Sequence, residues 1–349
     1  MTIVTLETQR LTKRFGDRTA VSELSFAAAQ GEIIGLLGPN GAGKTTTIRL
    51  LTTVIAPTSG HFSVAGVSCN RPQEIRKQIG VLPESAGYPR QQTARQYLSY
   101  HARLFGMARA EAAEVADRLL DEVDLAARGS SRIATFSRGM RQRLGIARAL
   151  VNDPVVVFLD EPTLGLDPAG QRKVLSILAD IAARRAATVV LSTHTLSEVE
   201  EICSRVLILD NGRALTCGTV SEITRTVASR RSGRLLVPAE LSERANQVLS
   251  GVDGLTVERS GDRLGLFTLG TVEASDKASD EATVEASDEA TVEASDEATV
   301  EARVEASDEG LNAALTAVLR ADVPVLSFEV DGARLRDAFL SLTAAGAAS

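Results

Sequence analysis

The chain is 349 residues long, 44% apolar and 24% charged, which suits a globular protein of roughly two domains. Its net charge of −7 is local: residues 271–309 hold fourteen Asp and Glu against Lys277 and Arg303, and without that segment the balance is +5, which argues little either way about nucleic acid, a partner that is not expected. No segment approaches the roughly eighteen uninterrupted apolar residues that cross a bilayer, and Glu7 stands where a secretory leader would be apolar, so the sequence predicts a cytosolic chain with no membrane span of its own.

In chain order, short β-like runs at residues 3–6, 25–28 and 33–37 alternate with turn residues such as Gly16-Asp17 and Gly31. They predict a small sheet leading into a buried strand. Helical spacing takes over at 44–54 and stops at Ala56-Pro57-Thr58-Ser59-Gly60, with a further strand expected over 61–67. Residues 93–151 read as mostly helical, with a break at Gly129-Ser130-Ser131. The five apolar residues 155–159, directly after Pro154, have the length of a strand buried on both faces of a parallel sheet. Further strands at 189–192 and 206–209 flank a helix at 196–202, and this alternation predicts an α/β core.

A polar linker at 230–233 precedes a second unit that begins near Arg234. Its pattern is a strand (235–237), a helix (239–249), a strand pair (255–269), a helix (311–319) and a final strand and helix, a small α+β domain. Within it, Thr-Val-Glu-Ala-Ser-Asp-Glu-Ala occurs at 283–290 and again at 291–298. Eight residues turn a helix by about 800°, so Val284, Val292 and Val300 drift by about 80° per repeat and never line one face. An acidic loop without a buried stripe is expected there, with a docking tail for a basic partner as the functional alternative. Cys69, Cys203 and Cys217 are odd in number and outside any CxxC pair, which predicts reduced, buried thiols.

Two elements carry chemistry. Gly38-Pro39-Asn40-Gly41-Ala42-Gly43-Lys44-Thr45 follows a strand and opens a helix, the context in which GxxxxGKT binds the phosphates of a nucleoside triphosphate. The glycines let successive N–H groups converge on phosphate oxygens at the positive end of a helix. Lys44 is placed for the β- and γ-phosphates and the Thr45 hydroxyl for Mg²⁺. At the end of the apolar run, Asp160 is placed to hold hydrated Mg²⁺, and Glu161 to polarise the attacking water as general base. The bland alternatives are a glycine-rich turn with a solvated lysine, and acidic residues that only cap a strand.

With these motifs in place, residues 4–222 resemble the nucleotide-binding subunit of an ABC (ATP-binding cassette) transporter. The segment Ser137-Arg138-Gly139-Met140 corresponds to the family signature, usually Leu-Ser-Gly-Gly-Gln, with Phe136, Arg138 and Met140 as departures. The resemblance implies that Ser137 and Gly139 face the γ-phosphate of ATP held by a second copy of the chain, a head-to-tail homodimer in which ATP lies between Gly38 to Thr46 of one copy and Ser137 to Gly139 of the other. It implies that His194 contacts the γ-phosphate, against the reading of a satisfied core histidine. Asp167 would communicate across the dimer, a role compatible with capping the helix that starts at Pro168. Phe15 stands where an aromatic stacks on adenine, a core phenylalanine being the alternative. Glu84 replaces the glutamine that senses Mg²⁺, retaining an oxygen ligand but adding charge, or is only a surface loop residue.

The fold implied is an α/β P-loop ATPase over 1–229, with an antiparallel β subdomain and a helical signature subdomain, plus an accessory α+β domain over 234–349 interrupted by 271–309. Similar proteins with such a signature and a C-terminal extension serve exporters of drugs, antibiotics or lipids, as in the daunorubicin-resistance type. Their permease is a separate integral membrane polypeptide, which places the ATPase on the cytoplasmic face of the membrane. The rival is a soluble ABC ATPase acting on ribosomes or nucleic acid; such proteins usually carry two cassettes or a long coiled coil, and this chain shows neither.

Overall fold

The computed structural model describes residues 3–85, 87–227, 232–252, 256–260, 265–270, 308–331, 335 and 339. Contacts divide them into a first unit, through Ile223 and with Phe339, and a second that begins at Thr224.

The first unit opens with two long strands, β1 (Val4–Phe15) and β2 (Arg18–Ala29), followed by β3 (Ile33–Leu37), α1 (Lys44–Leu51), β4 (Ser59–Val64) and β5 (Val67–Ser68). The strands at 3–6 and 25–28 are therefore the ends of a hairpin closed at Gly16-Asp17. The strand expected over 61–67 is instead broken at Ala65-Gly66, both at positive φ, because a tight turn sends β5 back along β4. Strands β2, β1, β4 and β5 form one antiparallel sheet in that order. The helix expected to reach residue 54 stops at Leu51, since Thr53 takes φ 59.

Next come α2 (Pro72–Gln78), β6 (Ile79–Leu82), α3 (Ala94–Leu104), α4 (Arg109–Glu122) and α5 (Arg138–Ala149). The helical stretch has an additional break at Gly106, whose φ of 89 ends α3. Then follow β7 (Val156–Asp160), α6 (Pro168–Arg185), β8 (Thr188–Thr193), α7 (Leu196–Ile202), β9 (Arg205–Asp210), β10 (Arg213–Thr219) and α8 (Val220–Val227). The second sheet runs β10-β9-β3-β8-β7-β6 and is parallel except at its β10 edge. Every residue of β3, β7 and β8 is buried, as expected of strands covered on both faces.

This topology gathers the loops that matter. Strands β3, β8, β7 and β6 are successive neighbours and parallel, so the segments leaving their C-terminal ends, at 38–43, 194–195, 161–167 and 83–92, emerge along one edge, where ligands of α/β sheets bind.

The second unit contains β11 (Ser232–Val237), α9 (Ser242–Ser250), β12 (Thr256–Ser260), β13 (Gly265–Gly270), α10 (Asp308–Arg320) and β14 (Ser327–Asp331). Its strands form an antiparallel sheet in the order β12-β13-β11-β14, and Leu235, Val237, Ala245, Leu249, Leu311, Ala314 and Val318 build its core. Two expectations are corrected here. Ser232 and Gly233 pair within β11 rather than forming a linker, and the helix at 239–249 begins as a 3₁₀ turn at Ala239–Leu241. Asp308 and Glu309 belong to α10; the acidic repeat before them and the final helix lie outside the described residues. Among the thiols, Cys203 alone is buried, while Cys69 and Cys217 are intermediate and all three are free. Short sequence runs carry no sign of how deeply a hairpin or edge strand sits.

Candidate functional site: two separate clefts

The loop between β3 and α1 needs its glycines for two different reasons. Gly41 and Gly43 sit at φ 86 and 103, a region side chains avoid. Gly38 and Gly43 are also crowded by backbone: an added Cβ would lie 2.3 Å from the Leu209 carbonyl oxygen and 2.6 Å from that of Ala20. The loop curls over Lys44, which is only 6% exposed. Its Nζ donates to the carbonyls of Gly38 at 2.7 Å and Pro39 at 3.2 Å and stands 3.7 Å from Glu161 Oε1. A buried ammonium is costly unless it is bonded and paired in this way.

Behind the loop, Asp160 at the end of β7 is buried. Its Oδ1 accepts from Thr45 Oγ1 at 3.2 Å and from Ser192 Oγ at 2.6 Å. The same Ser192 oxygen accepts from the Glu161 amide at 2.9 Å. Glu161 takes φ 49, a left-handed conformation rare for a residue with a side chain, and its Oε2 lies 3.0 Å from His194 Nδ1.

Phe15, Asn40, Gly41, Ala42, Gly43, Lys44, Thr45, Thr46, Glu84, Glu161 and His194 all border one cleft of about 650 Å³. Phe15 is half exposed at its mouth, with Lys13 Nζ 5.0 Å from its ring centre, rather than a core residue. Arg18, Ala20 and Leu164 share this wall and were not singled out by sequence. Arg18 follows the Gly16-Asp17 turn, and that adjacency to Phe15 was the available signal. Ser192 was likewise missed, though it sits in the same Leu191-Ser192-Thr193-His194 run.

Ser137, Gly139 and Asp167 are elsewhere. They border a second cleft of about 310 Å³, together with Arg138, Met140, Arg143, Leu166 and Lys173. Ser137 caps α5, its Oγ accepting from the Met140 amide at 3.2 Å, and Asp167 caps α6, accepting from the Gly170 amide at 3.3 Å. The Arg138 guanidinium lies against Gly165, where an added Cβ would fall 2.6 Å from its Cζ. The two clefts share no residue.

A metal would have to bring much of its own coordination, because among the described residues no group of three His, Cys, Asp or Glu is arranged to hold one. One hydroxyl and one carboxylate 3.2 Å apart suit Mg²⁺, which is held by one or two protein oxygens and completed by phosphates and water.

Comparison with known proteins accords with this geometry. The family model described as ABC transporter matches residues 21–164. A Nod factor export ATP-binding protein I from Paraburkholderia xenovorans (strain LB400) is 38% identical over 219 residues, covering 62% of this chain and 72% of that protein. Its counterpart from Rhizobium sp. (strain N33) is 39% identical over 220 residues, covering 63% and 72%. The chain belongs to the ABC transporter ATP-binding proteins. A solved structure of the ATP-binding subunit of an ABC transporter, 33% identical, superposes with a TM-score of 0.57 over 64% of this chain and 92% of that one.

As a member of the ABC transporter ATP-binding proteins, this chain binds ATP and is an ATPase subunit of a transporter. Among the described residues no helix is long and apolar enough to cross a membrane. One link between the loop that carries Glu84 and helix α5 is also visible. Tyr88 packs over Gly145, where an added Cβ would lie 2.5 Å from the phenol oxygen, and burial pushes that phenol up to about 12.

Proposed function

We infer that this chain drives a separate integral membrane permease by binding ATP between two copies of itself, and that the assembly is an exporter. The observation behind this reading is that the cradle around Lys44 and the Ser137 tip of α5 border different clefts of one chain, and a second copy placed head to tail would bring the tip of one to the cradle of the other. The export direction is supported by relatives named for Nod factor export. The drug, antibiotic or lipid class remains the proposed cargo, and the cytoplasmic face of the membrane the proposed location.

In this reading Gly38 to Thr46 hold the triphosphate, Phe15 stacks on the adenine, and Lys44 exchanges its loop carbonyls for phosphate oxygens. Thr45 and Asp160 would hold Mg²⁺ with Glu84 at the rim; the metal supplies charge neutralisation at the phosphates. Glu161 accepts a proton from the attacking water, and His194, which meets Glu161 at 3.0 Å, orients the pair. Asp167 and the Ser137 tip complete the site from the second copy, and closure passes through the Glu84 loop and Tyr88 to α5 and the permease. Residues 1–229 are the proposed ATPase domain and 234–349 the accessory one.

The test is ATPase rate against subunit concentration in dilute solution without permease. A shared site predicts a rise steeper than linear at low concentration, and a strictly linear rise overturns the dimer. Copurification separates the partners: an integral membrane protein supports the exporter, nucleic acid the soluble rival.

A further inference from the structure

Glu198, which no motif singled out, is buried to 4% exposure on the third position of α7. Its two carboxylate oxygens are spent on two different segments, the turn after β7 and the end of β8. Thr163 Oγ1 donates to Oε1 at 2.6 Å, and Thr193 Oγ1 donates to Oε2 at 2.7 Å. Thr163 lies two residues after Glu161, and Thr193 immediately before His194. Thr193 Oγ1 also accepts from the Thr195 amide at 3.0 Å, so His194 is bracketed by bonds to one hydroxyl. Among the described residues the partners of Glu198 are hydroxyls rather than a cation.

A carboxylate kept dry with only hydroxyl donors is an expensive choice for packing alone, where an apolar side chain of similar size costs nothing in desolvation. What this one achieves is geometric. The turn after β7 begins at Glu161 in a left-handed conformation, which persists only where its surroundings hold it. The segment after β8 carries a half-exposed His194. Glu198 ties both backbones to a single point behind the 3.0 Å contact between Glu161 and His194.

We propose that Glu198 is a positioning residue for ATP hydrolysis, a clasp through Thr163 and Thr193 that holds Glu161 and His194 in register. It lines neither cleft, so its loss acts on turnover and not on ATP capture. The proposal rests on Glu161 and His194 being the hydrolytic pair.

The experiment measures kcat, ATP affinity and thermal unfolding of the full chain. Glu198→Ala is expected to lower kcat on the order of tenfold, the cost of a loosened reacting geometry, with ATP affinity within about threefold of the parent. Glu198→Gln, which still reaches both hydroxyls, recovers most of the loss. Adding Thr163→Val to Glu198→Ala lowers kcat no further, because both cut one clasp. A parental kcat in Glu198→Ala, or additive losses in the double variant, overturns the clasp. Should Glu198→Ala not fold, Thr163→Val and Thr193→Val decide: lowered kcat with ATP affinity kept supports the proposal, and parental kcat in both overturns it. Glu161→Gln measured alongside separates the two readings. If it turns over normally, the hydrolytic pair is wrong; if it is inactive while the Glu198 variants are normal, only the clasp is wrong.

Discussion

Thr45 and Asp160 meet at 3.2 Å across the cleft floor, the hydroxyl at the start of α1 bonded to the carboxylate that ends β7. Ser192 adds a second donor to the same oxygen at 2.6 Å, so the carboxylate is fixed from helix α1 and from strand β8 before any nucleotide arrives. A positioned, buried carboxylate beside a hydroxyl would give Mg²⁺ its protein ligands with little reorganisation.

Asp160→Asn tests this. The amide keeps the shape and can still accept from Thr45 or Ser192, but it lacks the charge that a hard cation needs. ATP affinity measured with Mg²⁺ present is expected to fall on the order of tenfold or more. Affinity measured with Mg²⁺ chelated should stay near that of the parent. Equal losses in both titrations would place the role of Asp160 in the fold rather than at the metal.

Glu161→Gln separates binding from hydrolysis. Gln tolerates φ 49 no worse than Glu, and it can still meet His194, so the fold and the cleft are retained. Without a base, turnover is expected to drop by on the order of a hundredfold or more, while ATP binding persists and the closed pair accumulates. Size-exclusion chromatography with ATP should then show a dimer. A variant that hydrolyses at close to the parental rate removes Glu161 from the role of base.

The parts of this molecule that were readable in sequence are those fixed by local rules. Residues 155–159, flanked by Pro154 and wholly apolar, announce a strand buried on both faces, and β7 is buried throughout. The helix at 196–202 matches α7 to the residue. What escaped depended on partners far away in the chain. Ser192 matters because β8 lies beside β7, and Glu198 because Thr163, 35 positions earlier, folds onto it. Ser192 sits two residues before His194, but nothing in that run shows which strand lies alongside it, and no motif includes Glu198. Likewise the break at Ala65-Gly66 is a two-residue turn inside an apolar run, and hydrophobic pattern alone continues straight through it.

Cys203 gives a prediction in pH. Burial first, and then the negative charge of Glu198, push its thiol up to about 12 from an ordinary 9.0. A raised pKa means the unfolded chain gives up this proton first. The contribution to stability is thus complete below about 9 and is lost as pH rises towards about 12. Native protein at about pH 8 is expected to leave Cys203 unlabelled by a thiol reagent while the partly exposed Cys69 reacts, and denaturant is expected to release Cys203. Denaturation midpoints taken at rising alkaline pH should fall more steeply in the parent than in Cys203→Ala. Labelling of Cys203 in the folded state as fast as Cys69 would contradict its burial.

Gly139→Ala asks whether the signature glycine serves the fold or the partner. Within one chain the position is roomy: an added Cβ would meet nothing nearer than Leu166 Cδ2 at 3.8 Å, ordinary contact. Gly139 is not at positive φ and sits in the first turn of α5, where alanine is the better helix former by up to about 1 kcal/mol. The folded monomer should therefore unfold at the same temperature or slightly higher. If the α5 tip instead closes on the γ-phosphate held by a second copy, a methyl group there obstructs the approach of the backbone, and ATPase should fall on the order of tenfold or more with ATP affinity of the single chain unchanged. Gly38→Ala is the contrast, since its Cβ would strike the Leu209 carbonyl at 2.3 Å and should damage folding and ATP binding together. Parental ATPase in Gly139→Ala would mean that no phosphate approaches the tip of α5, and the shared site would fall with it.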